Sequence, residues 1–516
     1  MKILILFTIS FVINSCSIFK INRYPSSLNE LDSNTVAIQG LENLSLSDLD
    51  EWSKGFYSND TQLTVNEYEN ILKRLNNIYD QTKNEQEFYE VLLTKNFNNK
   101  YSTNGNLNNL INSLLVFRKK IQVDLKEFKK TSKLLLLLDF IVDETLFIKK
   151  IKFPKSRQLF SVSFKHNKNL CKKKSFLNGV EICQGDIVLS KGGAGSSNFL
   201  AKISNFPGNY SHSALSYIHN NSKFYFVESF IEDGVKLRKP NNDYINNPKV
   251  KLAVYRHKDR RIVKESSKCV LNFIKTMKRK VHTRKIYKLF TKAAFPYDFS
   301  MDANDSEAMF CSEVIFAAYN KKYCNLNIED NPYKKEVWSK LDNSETNGRI
   351  LKDFLNTKLS FPAPSNLELN SDYEIIANQY NLDKIEGDRV RVAMIDIIME
   401  IIKNNKDKLD IIFDKLKLTG NSEVSPLFLR LMLKKAGIKM TPKIEKSIKN
   451  LPKGINYKQF VFFAYLDKKL TPEIEYFYAN SKMKGKYIPQ TNLRNNLYFV
   501  IQESLTKFAE KLSQFK

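Results

Sequence analysis

Three side chains in this sequence could together perform nucleophilic chemistry: Cys311, His212 and Glu228. Cys311 opens the stretch Cys311-Ser312-Glu313-Val314-Ile315-Phe316-Ala317-Ala318-Tyr319. In it Val314, Ile315, Ala318 and Tyr319 recur at the spacing of one buried helical face. A polar run rich in helix breakers, from Phe295-Pro296-Tyr297-Asp298 to Asn304-Asp305-Ser306-Glu307, comes before it, so the thiol is expected in the first helical turn. Unpaired backbone N–H groups and the helix dipole favour an anion there, which lowers a thiol's pKa and supplies a thiolate. A lone cysteine is more often a small buried hydrophobe, so the chemistry also requires a base and a group that orients it.

Two strands must supply that pair. Ser211 to Tyr217 and Phe224 to Ser229 read as strands, and His219-Asn220-Asn221-Ser222 between them has the composition of a turn. A hairpin centred on Asn220 pairs residues whose numbers sum to 440, which sets His212 opposite Glu228. At that separation a carboxylate can orient an imidazole. A slip of one residue would send the two to opposite faces. Singly, a core histidine and a solvated strand-end glutamate are the ordinary readings; beside a helix-start thiol they suggest a triad.

The order of four motifs carries a resemblance. Gly185-Asp186-Ile187-Val188-Leu189-Ser190, Tyr210-Ser211-His212-Ser213-Ala214, Val227-Glu228-Ser229 and Cys311-Ser312-Glu313-Val314 resemble the permuted papain-like cysteine hydrolases, the YiiX/YebB-like branch of the NlpC superfamily. Papain places its Cys before its His; the order here is His, Glu, Cys, and a triad is defined by geometry, not chain order. Tyr297-Asp298 is similar to the superfamily's Tyr-bearing segment. Phe361-Pro362-Ala363-Pro364-Ser365-Asn366-Leu367, followed by Ser371, is similar to the branch's Pro-x-Asp-Leu-x-x-Ser tail, with Asn366 at the Asp position. The resemblance spans roughly residues 181–380. It implies an α+β module with an antiparallel sheet, amide or ester hydrolysis without a cofactor, and peptidoglycan stem peptides or acyl lipids as substrate classes. Cys311 would be the nucleophile, His212 the base, Glu228 the orienting group and Tyr297 a substrate contact or second oxyanion donor.

The chain begins with a segment that is not part of a fold. Lys2 is followed by the apolar run Ile3 to Ile13 and the box Ile13-Asn14-Ser15-Cys16. The run is too short to span a bilayer, which needs ~20 apolar residues. It resembles a bacterial lipoprotein signal in which Cys16 is the lipidated mature N-terminus. That implies a cell-envelope protein held to the membrane by its lipid, with outer-membrane placement from Ser17. The other four cysteines, Cys171, Cys183, Cys269 and Cys324, admit three pairings, of which Cys171 with Cys183 is the local one. None has metal-ligand spacing with a histidine, so no metal site is expected.

There are 82 Lys+Arg against 55 Asp+Glu in 516 residues, a net charge of +27. Such an excess fits an anionic partner, or lysines scattered over solvated helix faces. No nucleic-acid-binding motif accompanies it, so a nucleic-acid partner is not expected. Helical periodicity in Tyr68, Ile71, Leu72, Leu75, Ile78 and Tyr79, and again from Ile111 to Phe128, predicts an N-terminal helical region over 17–165. An Asn/Gly-rich loop is expected over 98–109. Leu134 to Leu138 is bracketed by Lys133 and Asp139, which suits a buried helix of a bundle better than a membrane span.

The hydrolase module is expected over 166–380. In it Gly192-Gly193-Ala194-Gly195-Ser196-Ser197 is either a tight connection or an anion cradle. A C-terminal helical domain is expected over 381–516, with a weak likeness to an EF-hand pair. Phe428 falls where a loop's ligating Glu belongs, so the likeness implies no calcium. The expected activity is a cysteine hydrolase acting through a thioester. The alternatives are acyl transfer on the same fold and a non-catalytic scaffolding lipoprotein whose helical regions recruit a protein partner.

Overall fold

The computed structural model describes residues 104–120, 128–155, 158–164, 171, 173–202, 209–219, 223–286, 295–298, 301, 303, 308–335, 338–340, 360–404, 426–450 and 457–513. The leader and the Tyr68–Tyr79 stripe lie outside them, as do the EF-hand-like loops apart from residues 426–428 of the first and Asn450 of the second. In chain order the elements are α1 (Asn104–Lys120), α2 (Phe128–Lys152), β1 (Leu159–Ser163), β2 (Lys174–Leu177), β3 (Val180–Cys183), β4 (Ile187–Lys191) and α3 (Gly195–Lys202). Then come β5 (His212–Ile218), β6 (Phe224–Phe230), β7 (Gly234–Arg238), β8 (Lys251–His257), α4 (Arg260–Ile286), α5 (Cys311–Ala318), β9 (Ser339–Lys340), β10 (Ser360–Phe361) and β11 (Tyr373–Asn381). The C-terminal helices are α6 (Leu382–Asn404), α7 (Pro426–Lys435), α8 (Pro442–Asn450), α9 (Tyr457–Tyr465), α10 (Thr471–Ala479) and α11 (Gln490–Ser513).

The architecture is α+β. Seven strands form one antiparallel sheet in the order β1-β11-β8-β4-β5-β6-β7. Alternation along the strands sends Ile187, Leu189, Leu215, Val227 and Tyr255 to one face, where α4, α5, α1 and α2 cover them. Val188, Ala214, Phe226 and Val254 point to the other face, beneath the β2–β3 hairpin. On α5, Val314, Ile315, Ala318 and Tyr319 are all buried, as their spacing predicts.

The sheet takes its edge strand β1 from residues before the expected module boundary at 166. Five residues of weak alternation next to a long helical region carry little signal of their own; β11 recruits them. Helix α1 likewise starts at Asn104, inside the stretch expected to be a loop, because Leu107 and Leu110 are anchored in the core. Helix α2 is buried through Leu135, Leu138, Ile141 and Phe147, but against the sheet's own core and not in a separate bundle. No helix among the described residues is long and apolar enough to cross a membrane.

Buried ion pairs tie these layers together. Arg118 of α1 binds Asp139 of α2 at 2.6 Å and Glu368 at 2.5 Å. Arg389 of α6 binds Glu144 of α2 at 2.6 Å, and Lys191 of β4 binds Asp388 at 2.7 Å. Each is a buried charge that costs several kcal/mol to desolvate, so each partner is needed by the other. Disulfides join Cys171 to Cys183 and Cys269 to Cys324. The local pairing is therefore the one formed, and the second staples α4 to the segment after α5.

In the C-terminal domain Val390, Met394, Ile397, Ile398 and Ile401 line one face of α6 and meet Leu493, Leu497 and Ile501 of α11. This core is continuous with Phe199, Tyr297, Met301, Phe310, Phe361 and Ala363, which flank the thiol's helix. The domain thus packs directly against the walls of the candidate site.

Candidate active site

The Gly-Asp pair at the head of β4 sets the frame. Gly185 has φ +94, and a Cβ there would meet the Ser266 Cβ of α4 at 2.8 Å, so the position requires glycine. Asp186 is buried and accepts from the Cys183 N–H at 2.7 Å and from Arg256 Nε and Nη2 at 2.9 and 2.8 Å. The C-terminal end of the thiol's helix is fixed to the same corner, where the Tyr319 hydroxyl donates to the Gly185 carbonyl at 2.8 Å. The helix start is thereby held at the opposite end of the sheet, where β5 begins.

Cys311 is the first residue of α5, buried to 5 % exposure, and its thiol is free. The two residues after it hold it in place. Ser312 Oγ donates to the Pro362 carbonyl, and Glu313 reaches back to accept from the Phe310 N–H at 3.2 Å. The Pro-rich tail packs here as well: the Tyr333 hydroxyl donates to the Pro364 carbonyl at 3.1 Å, and Ser365 brackets Tyr210. Asn366 Oδ1 accepts from the Ala363 N–H at 2.7 Å, closing the turn at Pro364–Leu369. An Asp would use a carboxylate oxygen for the same bond, which explains why Asn serves there.

His212 opens β5, and its Nε2 lies 2.9 Å from Glu228 Oε2. The observed ladder pairs Leu215 with Val227 and Ser216 with Phe226, two residues away from a hairpin centred on Asn220. His212 and Glu228 are consequently diagonal neighbours, not directly opposed. A shift of two preserves the face, so the contact survives.

Glu228 is fully buried, and the Tyr244 hydroxyl donates to the same Oε2 at 2.8 Å. Its other oxygen has no hydrogen-bond partner among the described residues. Tyr244, on a short π-helical turn at Asn241–Ile245, is a residue that sequence reasoning missed. It lies on an irregular segment 16 residues from Glu228 with no periodicity to mark it.

Electrostatics couple the thiol and the imidazole. Burial pushes the Cys311 thiol up, but the hydrogen bond and charge of His212 and the backbone of Ser213 outweigh it, leaving the pKa below the usual thiol value. Burial pulls His212 down, but hydrogen bonds to Cys311 and Glu228 raise it to about 9. Because Nε2 is committed to Glu228, Nδ1 is the ring nitrogen left for the sulfur. Each group thereby favours the charged form of the other.

Tyr297 is buried near the thiol. Burial, the Cys311 charge, Asp298 and Glu232 push its phenol well above its ordinary pKa, so it remains a hydroxyl donor.

The glycine-rich loop is a tight connection and its anion is internal. Asp467 from the C-terminal domain accepts from the Ser196 N–H and Oγ, each at 2.7 Å, at the start of α3. A Cβ on Gly195 would meet Thr471 Oγ1 at 2.3 Å, so only glycine permits this docking.

A thiol at a helix start, an imidazole on the adjoining strand, and a Cys that follows its His and Glu in sequence define a permuted papain-like module. Residues 181–338 match the model of one family within that class, the permuted papain-like amidase enzymes of the YaeF/YiiX, C92 type. The matched segment therefore has a hydrolase, amidase-type fold. It holds the expected His212, Glu228, Tyr297 and Cys311, and it ends before β11 and the C-terminal helices. No curated protein and no solved structure matches the chain.

Proposed function

We propose that Cys311, His212 and Glu228 form the catalytic triad of a cysteine hydrolase cleaving an amide or ester bond. The Cys311 thiolate attacks the carbonyl carbon and forms a C–S bond, sending the carbonyl electrons to oxygen. The Cys311 backbone N–H at the helix start and the Tyr297 hydroxyl are the donors assigned to that oxyanion. His212 gives its proton to the leaving nitrogen or oxygen as that bond breaks, leaving a thioester. It then takes a proton from water, whose oxygen attacks the thioester, and the thiolate is released. Glu228 holds the imidazole's orientation and supports its charge.

The single observation carrying this reading is that the His212 ring lies 2.9 Å from the buried Glu228 carboxylate while its interaction with the buried Cys311 thiol raises the imidazole's pKa and lowers the thiol's. The rate of iodoacetamide alkylation against pH, resolved by peptide mass spectrometry, tests it. Cys311 is expected to react with an apparent pKa below ~8.5, the value of an unperturbed thiol, and His212→Ala is expected to slow it at neutral pH. An ordinary thiol profile that His212→Ala leaves unchanged would remove the triad.

We further infer an envelope lipoprotein anchored through Cys16, acting on a cell-wall peptide or acyl lipid. The leader pattern supports it, and both disulfides fit an oxidising compartment. Metabolic labelling with an alkyne fatty acid should mark the chain and fail on Cys16→Ala. Labelling that persists in the variant refutes the anchor.

A further inference from the structure

His212 lies where its strand is laddered on one side. β5 pairs with β4 from its first residue, His212 facing Ser190, but its ladder to β6 starts only at Leu215, opposite Val227. Over His212, Ser213 and Ala214 the place of the strand therefore depends on β4 and on the anchor at its N-terminal end. That anchor is Ser211. Its N–H donates to the Ser190 carbonyl at 3.1 Å, and its hydroxyl shares a hydrogen bond with Ser197 Oγ of α3. Ser197 Oγ also accepts from the Gly192 N–H at 3.1 Å, which ties the glycine-rich loop, the first turn of α3 and the start of β5 together.

This unit is held from the C-terminal domain. Asp467, on the π-helical turn Leu466–Leu470, accepts from both the N–H and the hydroxyl of Ser196, the residue before Ser197. Hydrogen bonds to a carboxylate are roughly twice as strong as neutral ones. The approach is close: a Cβ on Gly195 would lie 3.3 Å from the Leu466 carbonyl oxygen, and Phe199 of α3 packs edge-on against Phe462 of α9 with ring centroids 5.4 Å apart. The same domain meets the other side of the imidazole, where Lys443 and Lys446 of α8 pair with Glu232 at 3.4 Å and Asp233 at 2.5 Å. Those acids follow Phe230, whose ring centroid is 4.7 Å from that of His212. Both lysines are more than half exposed, so solvent screens their pairs, and the stronger hold is at Ser196.

We propose that Asp467 is a positioning residue for the hydrolase: the C-terminal domain docks it on α3 and so, through Ser196, Ser197 and Ser211, sets the His212 imidazole against the Cys311 thiol. The proposal rests on the triad reading. It makes the C-terminal domain part of the active site, although the family match ends at residue 338. Asp467 moves no proton in the reaction; it acts through the place of the ring.

The test uses the full chain and the rate of Cys311 alkylation by iodoacetamide against pH. A displaced imidazole withdraws its charge from the sulfur, so less thiolate is present at neutral pH, whereas a thiol already ionised gains nothing from that charge. Asp467→Ala is expected to lower the neutral-pH rate about three- to tenfold, with the profiles meeting at the alkaline end where both thiols are ionised. Ser197→Ala leaves the Asp467 contact in place and breaks the link to Ser211. It should show the same pH-dependent loss, and it carries the test if Asp467→Ala does not fold. Neutral-pH rates unchanged in the folded variants, or lowered by one factor at every pH as altered access alone would do, overturn the positioning role, while an acidic, His212-dependent thiol in the unaltered chain still upholds the triad. An ordinary thiol profile in the unaltered chain overturns both.

Discussion

Glu228→Gln isolates the charge of the triad's third member. His212 and Tyr244 both address Oε2, so the single carbonyl oxygen of Gln can serve both, and its amide falls where Oε1 now has no partner. Shape and hydrogen bonds are retained while the buried negative charge is removed. A hydrogen bond to a charged group is worth about 1.5–3 kcal/mol, or roughly one to two pKa units. His212, held at about 9, is therefore expected to fall to roughly 7–8.

The sign follows from linkage. A histidine whose folded pKa is raised above its unfolded ~6.5 stabilises the fold fully below that value, and the contribution is lost as pH rises through 9. The variant should therefore lose stability most below pH ~6.5 and match the unaltered protein above ~9. Its thiolate–imidazolium pair should vanish one to two units earlier on the alkaline side. Imidazole titration by NMR and the alkylation profile read both effects. Superposed profiles for the variant and the unaltered protein would refute the role given to Glu228.

Two further outcomes are expected. Arg256→Met leaves the buried Asp186 carboxylate without its guanidinium and should cost about 3–5 kcal/mol in denaturant unfolding. Because that corner lies at the far end of the sheet from Cys311, alkylation per folded molecule should be unchanged; a loss below 1 kcal/mol refutes the assignment. Calcium and chelator should give coincident thermal unfolding curves for the full chain, since Phe428 stands at a ligating position; a clear upward shift with calcium refutes this.

Local patterns made much of the site legible. The helical spacing of Val314, Ile315, Ala318 and Tyr319 and the breakers before them put Cys311 at a helix start. Strand alternation put His212 and Glu228 on one face. The two-residue shift in register depended on turn geometry that composition does not specify, and it did no harm because strand faces repeat every two residues. Contacts between distant segments were not legible. Asp467 reaches Ser196 across 271 residues, and β1 joins the sheet only because β11 is there to pair with it. Tyr244 belongs to the same class: its hydroxyl matters because of where a carboxylate lies in space.

The strand order also bears on how the chain is made. β8 pairs with β4 on one side and with β11 on the other, yet β11 is synthesised only after α4, α5 and the whole segment up to Tyr373. At translation rates of about 5–20 residues per second, the outer edge of β8 waits on the order of ten seconds for its neighbour. During that interval a wholly buried strand offers an open ladder to any other chain. Holding that edge apart until Tyr373–Asn381 arrives is a task for whatever escorts the nascent protein, and a chain stopped at residue 338 would keep the edge open permanently.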